Sequence, residues 1–510
     1  MKKFYLYTII GMTVLCSSCS DFLTEYSPDQ SYVRSFADLD ELLADSTYMK
    51  CYQVSYDFQW DAEKSFYPYI HFMADETQLC MLGKPYGFTR SPGYMFGYYT
   101  WQKEVEKNHE STSVWEEARD WKNLYGYINV ANLVLSLIDK QGTTTENDKQ
   151  EVQRIKGEAY FLRGAYYFTL ANLYGKPYRL ASASTDLAVP LKLTEFVEDK
   201  IYERPTVQEV YEQVLEDLLS AEKLLKVIPK KSVVRAGHTA VCLLLSRVYL
   251  YMQNYGQSMT WAEECLKEQS NLVDLNGFTG DDFLYRESPE LIFTMGTNCL
   301  PNNLSIYAES FCVSKELYDC FEEGDLRNGY FVAMEEGIYR YKKAGSETGR
   351  IDVSDNFAFR TAEAYLNLAE AAACLGGEHT ARARQAYNIL RESRIESDKF
   401  QKEESLNGKE LVDAIRLERR RELCLEGHRW FDLRRYMVND LYPFEKTLTN
   451  DYVVYEYSYT SYSYEMVLYR RYTLPPHDGA WTLPIPSEEL NANYGMPDNE
   501  RGIRDYESLY

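Results

Sequence analysis

The sequence predicts a mostly α-helical protein, built as a scaffold of stacked helical pairs with irregular, short-stranded insertions between them. Three observations predict it. Apolar residues recur at three- and four-residue spacing over long stretches. Several of these stretches form close pairs joined by Gly- or Asn-containing turns. Between them lie segments rich in aromatic and turn residues, where the helical period is lost.

Composition sets the frame. At about 150 residues per domain, 510 residues would give roughly three domains, and one large helical body fits as well. Apolar residues make up 45% and charged residues 26%, the balance of a chain that buries a sizeable core. Gly 27, Pro 16 and Cys 11 exclude collagen-like, disordered and disulfide-scaffold classes. The formal charge of −23 would repel a phosphate backbone, which argues against nucleic acid as a partner. Tyrosine stands out at 46, against 22 Phe and 7 Trp. Its flat apolar face and polar tip suit surfaces that bind amphipathic molecules.

At the N-terminus, Met1-Lys2-Lys3 precedes the apolar run Phe4 to Leu15, which is too short to span a bilayer but fits the apolar core of an export signal. Cys16-Ser17-Ser18-Cys19 follows and resembles a bacterial lipoprotein signal. Residues 1–18 would then be removed and Cys19 lipidated, anchoring residues 19–510 to a membrane. A soluble secreted chain cut near the same place is the alternative. No later run is long and apolar enough to span a membrane.

The helices come next. Pro205-Thr206 with Glu209 opens one as a capping box, and Val207, Val210, Tyr211, Val214, Leu218, Ala221 and Leu225 make its apolar face. Similar patterns run over about 118–139, 149–174, 236–253, 257–268, 357–375, 379–395 and 408–426, giving a scaffold over about 118–268 and 357–436. Asn254-Tyr255-Gly256 and Gly376-Gly377 turn two pairs, and Ala240, Ala262, Ala362, Ala369, Ala381 and Ala386 would let paired helices approach closely. Such units bury a continuous core only by stacking, the logic of tetratricopeptide-like repeats. The charges of Glu418 to Arg435, spaced by three and four, read as ion pairs on an exposed helix face.

Three regions are less regular: about 50–112, 271–350 and 437–510. Glu290 to Met295 reads as a strand, and the alternation of Tyr455, Tyr457 and Tyr459 with Tyr462 and Tyr464 reads as a β-hairpin serving packing or partner contact. Beyond Cys16 and Cys19, nine cysteines remain, at 51, 80, 242, 265, 299, 312, 320, 374 and 424. The number is odd and no C-x-x-C occurs among them, so neither a complete disulfide framework nor a zinc cluster is signalled. Cys242, Cys265, Cys374 and Cys424 fall among apolar helical neighbours and read as buried thiols.

Catalytic patterns fail. Ser220-x-x-Lys223 and Ser354-Asp355-Asn356 match two of three penicillin-interacting motifs, but the third is missing, and Lys343-Ala344-Gly345 lies on the wrong side of the second. The six histidines are scattered without H-E-x-x-H, no phosphate-cradling glycine loop occurs, and Asp274 to Gly277 is too short for a calcium loop. No catalytic residue, cofactor or metal ligand is assigned. A carboxylate pair for glycoside hydrolysis stays open, because the separation that matters belongs to the fold.

Five ordered motifs carry a resemblance. They are Trp121-Lys122-Asn123-Leu124-Tyr125 with Ala131-Asn132; Gly157 to Phe168 with Leu173-Tyr174-Gly175; Arg204-Pro205-Thr206 through Asp217-Leu218; Glu418 to Arg435; and Leu483-Pro484-Ile485-Pro486 with Glu489-Leu490 and Asn493. With Cys19-Ser20-Asp21-Phe22-Leu23 they resemble the RagB/SusD family over nearly the whole chain. Asn491 to Arg504 departs from the family's usual ending. The resemblance implies a SusD-like fold and a lipid-anchored protein on the extracellular face of the outer membrane. It would capture a nutrient, mostly glycans and in some relatives peptides, and serve a SusC-like TonB-dependent transporter. A surface glycoside hydrolase is the weaker alternative, and a lid without ligand affinity a third.

By position between the motifs, about 50–112 and 271–350 resemble the segments that build the family's ligand face. Sugar rings present apolar faces and hydroxyl edges, which aromatic rings and Asn, Asp, Arg or Tyr groups match. Candidate ligand residues are therefore Tyr86, Arg90, Tyr94, Tyr98 and Trp101 in the first segment, with Phe88, Phe96 and Tyr99 beside them. In the second they are Tyr285, Asn303 and Tyr307, with Asn302.

Overall fold

The computed structural model describes residues 33–50, 69–80, 92–114, 119–196, 198–280, 283–296, 298, 300, 304, 311–333, 338–341, 343 and 353–510. Counting helices of nine residues or more, α1 is Phe36–Ser46, α2 Arg119–Ile138, α3 Glu146–Tyr174, α4 Val207–Leu225 and α5 His238–Tyr251. Then come α6 Tyr255–Glu268, α7 Thr361–Leu375, α8 Thr380–Glu392, α9 Gly408–Glu422 and α10 Arg429–Met437.

The long α3 is the axis of the first half. Thr145 and Asp148 close a capping box at its start, Asp148 N–H to Thr145 Oγ1 at 3.1 Å and Thr145 N–H to Asp148 Oδ2 at 3.0 Å. The box begins the helix three residues before its apolar period does. From Gly157 to Tyr174 almost every side chain is buried. α4 packs so tightly on this face that a Cβ at Gly157 would lie 2.7 Å from the Leu225 side chain, and one at Gly164 3.2 Å from Leu218. α5 and α6 turn through Gln253, whose φ is +59°, and Asn254, whose side chain caps α6. Ser246 and Ser258 then exchange hydroxyl-to-carbonyl hydrogen bonds of 3.0 and 2.9 Å across the pair. α7 and α8 turn through Gly376 and Gly377, at φ +66° and +55°, where a side chain would be strained. α7 packs against α6, α8 and α9.

Local structure departs from the periodicity in several places. α1 went unread because only Leu39 and Leu43 are buried along it; its signal is the Ser35–Asp38 capping box. Ala358–Arg360 is not helix but strand β6, because it pairs with β2 (Leu291–Thr294), the strand expected there. The run 408–426 breaks after Glu422 at Leu425 (φ +59°) and Gly427 (φ +76°) before α10 begins. Ala381 faces solvent, and Ala383 with Ala386 takes the contact positions of α8.

The largest correction concerns the charges of α9 and α10. They are ion pairs and structural hydrogen bonds, but buried. Glu418, Arg419, Glu422, Asp432 and Arg434 are all 4% exposed or less. Glu422 accepts from Arg394 at 2.9 and 3.0 Å, from Arg360 at 3.0 Å and from Arg327 at 3.1 Å. Glu290 joins the cluster through Arg360 (2.8 Å) and Arg394 (2.7 Å). Asp432 accepts from Arg419 (2.9 Å) and Arg435 (2.8 Å). Burial opposes the charge on Glu422, but Arg394 and Arg360 outweigh it and hold its carboxyl well below the usual range. Spacing by three and four serves a buried ladder as well as an exposed one.

Three antiparallel sheets complete the fold. Four strands run in the order β1 (Thr77–Leu79), β3 (Phe311–Val313), β5 (Tyr339–Tyr341) and β4 (Phe331–Ala333). β2 pairs with β6. The hairpin β7 (Leu448–Ser458) and β8 (Ser463–Leu474) takes β9 (Tyr506–Ser508) on its outer edge. The expected Tyr-rich hairpin forms, with a bulge between Val454 and Tyr455. Its base is buried, whereas Tyr459 and Tyr462 at the tip are 82% and 79% exposed. No helix of the described residues is long and apolar enough to cross a membrane.

Candidate functional site

The two irregular regions singled out in the sequence meet. β1 belongs to the first and β3, β4 and β5 to the second, and Thr77, Gln78 and Leu79 stand opposite Val313, Cys312 and Phe311. β7 packs against β1. A groove of about 450 Å³ runs between them, walled by Thr77, Gln78 and Leu79, by Ser314 and Glu316, and by residues 446–451 with Arg471.

Its floor is held by charge. Asp75 accepts from Arg429 at 2.7 and 2.8 Å, from Lys446 at 2.5 Å, and lies 3.1 Å from Arg420. Burial raises the cost of its charge, yet these cations keep the carboxyl well below its ordinary range. Glu316 pairs with Lys446 and, at 2.9 Å, with Arg420. On the hairpin wall Asp451 faces Arg471 across the strands in a two-pronged pair of 2.7 and 3.0 Å, and Tyr469 donates to it at 3.1 Å. Tyr99 forms the back. Its hydroxyl accepts from Leu79 N–H at 3.3 Å and its carbonyl from Asn450 at 2.7 Å, while burial pushes the phenol pKa up. Behind the groove, Glu76 accepts from Leu425 N–H at 3.0 Å, and burial pushes its carboxyl up to about 7.

The groove thus offers hydroxyl, amide, carboxylate and guanidinium groups over a small apolar back of Leu79, Leu448 and Tyr99. That set satisfies the hydroxyl edge of a polyol by donors and acceptors at once. Asp75, Glu316 and Asp451 are each paired with a cation. Among the described residues no group of three or more His, Cys, Asp or Glu side chains is placed to hold a metal ion.

A second cavity, of about 700 Å³, lies among Lys176, Arg179, Arg204, His477, Trp481 and Asn499. There Arg204 donates to the carbonyls of Ala188 (2.7 Å) and Pro497 (2.8 Å) and to Asn499 (2.9 Å), so it ties the C-terminal segment down. Burial pulls its pKa down to about 10.

The candidate ligand residues fall unevenly. Tyr94 is half-buried in the turn Pro92–Met95. Tyr98, on the short helix Phe96–Tyr99, stacks on Tyr69 at 3.9 Å between centroids, with the rings 3° from parallel. Trp101 is a core residue: it is 1% exposed and donates Nε1–H to Met73 O at 2.9 Å, so its ring presents no open face. Phe96 is buried against Tyr452 and Tyr472. Tyr285 is half-buried on the turn before Ser288. Tyr86, Phe88, Arg90, Asn302, Asn303 and Tyr307 lie outside the described residues, as does Cys19. The groove residues Gln78, Lys446, Asp451 and Arg471 went unnoticed in the sequence, where the alternation of tyrosines was the visible signal for that segment.

Comparison with known proteins agrees with this architecture. Residues 21–250 match a family model described as SusD-like, starch-binding associating with outer membrane, and residues 302–501 match the model of the SusD family. The two cover more than four-fifths of the chain. A SusD-like protein, P38, of Formosa agariphila is 26% identical over 388 residues, 62% of this chain and 72% of that protein. The fold superposes on a SusD superfamily protein of Bacteroides thetaiotaomicron with a TM-score of 0.67 at 20% identity, covering 92% of this chain and 100% of the other. For a SusD-like carbohydrate binding protein of Bacteroides vulgatus the TM-score is 0.66 at 20% identity, with 91% and 97% covered.

Proposed function

The chain belongs to the SusD family, and from that membership we propose that it captures an oligosaccharide or polysaccharide at the outer membrane and hands it to a SusC-like, TonB-dependent transporter. The observation that carries the reading is the joining of the two irregular regions in one sheet beside a polar groove. The groove's hydroxyl and amide groups match sugar hydroxyls, and by residue type Tyr94, Tyr98 and Tyr285, with Tyr86, Arg90, Asn303 and Tyr307, are further candidate ligand contacts. Ion pairing of the groove carboxylates favours capture without hydrolysis. Cys19 carries the lipid anchor on the extracellular face, and the exposed tip of the β7–β8 hairpin contacts the transporter.

The test is calorimetric titration of the chain from Ser20 onward against a panel of oligosaccharides and short peptides. Glycan binding without product release supports the reading. Binding of peptides alone moves it to peptide capture, and release of sugar products would make the protein a hydrolase.

A further inference from the structure

Two cysteines that occupy different irregular regions, 232 positions apart in sequence, come together at the groove wall. Cys312 lies on β3 opposite Gln78 of β1. Cys80 is one residue beyond the end of β1, and alternation along the strand puts its side chain on the same face as that of Gln78, diagonal to Cys312. The register brings the two thiols near enough to act on each other electrostatically. Cys312 is fully buried, whereas Cys80 is partly exposed. Arg340 of β5, itself buried, donates to Phe311 O at 2.7 Å, and its charge acts on the Cys80 sulfur.

We propose that Cys80 and Cys312 form a redox site, closing to a disulfide that staples β1 to β3 by exchange with a small-molecule disulfide. The interaction with Cys312, against the opposing effect of burial, and the charge of Arg340 lower the thiol pKa of Cys80, while the same interaction and burial raise that of Cys312. The partial exposure of Cys80 and the full burial of Cys312 give the two sulfurs different roles. The accessible Cys80 thiolate attacks one sulfur of the reagent disulfide and displaces the first thiolate, leaving a mixed disulfide. Cys312 then gives up its proton and attacks the Cys80 sulfur, displacing the second thiolate. The protein loses two hydrogens and the reagent is reduced to two thiols.

Closing the bond has a mechanical consequence. Diagonal neighbours in an antiparallel pair stand about 7–8 Å apart, and a disulfide accommodates Cα atoms up to about 6.8 Å apart. Closing the bond therefore draws Cys80, one residue past the ladder, and with it Leu79 of the groove wall, toward β3.

The experiment uses the whole chain, equilibrated with oxidised glutathione, blocked with iodoacetamide under denaturing conditions, and mapped without reductant by mass spectrometry. A linked Cys80–Cys312 peptide is expected, lost on treatment with reduced dithiothreitol. Cys312→Ser should instead accumulate a glutathione adduct on Cys80, while Cys80→Ser should leave Cys312 unmodified. Recovery of both cysteines as separate alkylated peptides, or of Cys80 linked to Cys51 or Cys299, overturns the proposal. Near-ultraviolet circular dichroism of each variant establishes that it is folded before its adducts are read.

Discussion

The amide oxygen of Gln78 accepts a hydrogen bond at 3.0 Å from the backbone N–H of Lys315, a residue 237 positions further along the chain. With the β1–β3 pairing, this contact fuses two segments that look separate in sequence into one wall, and β7 supplies the opposite wall. The proposed capture of a glycan rests on that joint surface, not on any one aromatic ring.

Trp101 tests the distinction between support and contact. Because it is buried and bonded to Met73 O, Trp101→Ala should destabilise the fold by about 3–5 kcal/mol. Tyr94→Ala, at a half-buried position, should cost far less. Urea denaturation of both variants checks this; equal stability of the two would place Trp101 outside the core.

The buried charge cluster should be intolerant of losing one member. Glu422 joins buried Arg327, Arg360 and Arg394, and Glu422→Gln removes the carboxylate they share, while Arg327 keeps Asp325 and Glu418, Arg360 keeps Glu290 and Glu426, and Arg394 keeps Glu290. A loss of about 1–3 kcal/mol is expected, read by chemical denaturation. A loss below about 1 kcal/mol, the scale of a surface pair, would contradict the assignment.

These two cases show what was legible in the chain. The helices were, because a repeated three- and four-residue spacing states both the element and its inward face; Val207 to Leu225 folds as it reads. The burial of Glu418 to Arg435 was not, because the same spacing suits an exposed helix, and the partners that decide the matter, Arg327, Arg360 and Arg394, lie on other elements. Residue type marked Trp101 as a candidate platform, but exposure is a tertiary property. The groove residues Lys446, Asp451 and Arg471 escaped for the same reason: nothing local to the hairpin says that β7 will lie against β1.

Glu76 gives a pH dependence of definite sign. Its carboxyl rises from an ordinary 4.5 to about 7 in the fold, mainly through burial. Folding therefore favours the protonated form, and the stability this gives is full below pH 4.5 and lost as pH rises through 7. Glu76→Gln keeps an acceptor for Leu425 N–H and removes the charge. At pH 8 the variant should be more stable than the parent by up to about 3 kcal/mol, with the difference vanishing below pH 4.5, as followed by denaturation across that range. A difference independent of pH would contradict it.

The hairpin tip separates partner contact from ligand binding. Tyr459 and Tyr462 are almost fully exposed, so replacing both by Ser should leave stability within about 0.5 kcal/mol. Glycan affinity should be unchanged and co-purification with the transporter reduced. Unchanged co-purification would remove the tip from the contact surface.

The central claim, that the groove between β1 and β7 binds the glycan, is tested most directly by titrating a binding oligosaccharide into the double variant Asp451→Ala/Arg471→Ala. Removing both partners leaves neither charge alone on the hairpin wall. We expect affinity to fall at least about tenfold, equivalent to about 1.4 kcal/mol, with the melting temperature unchanged. Parental affinity in a folded double variant would place the ligand elsewhere.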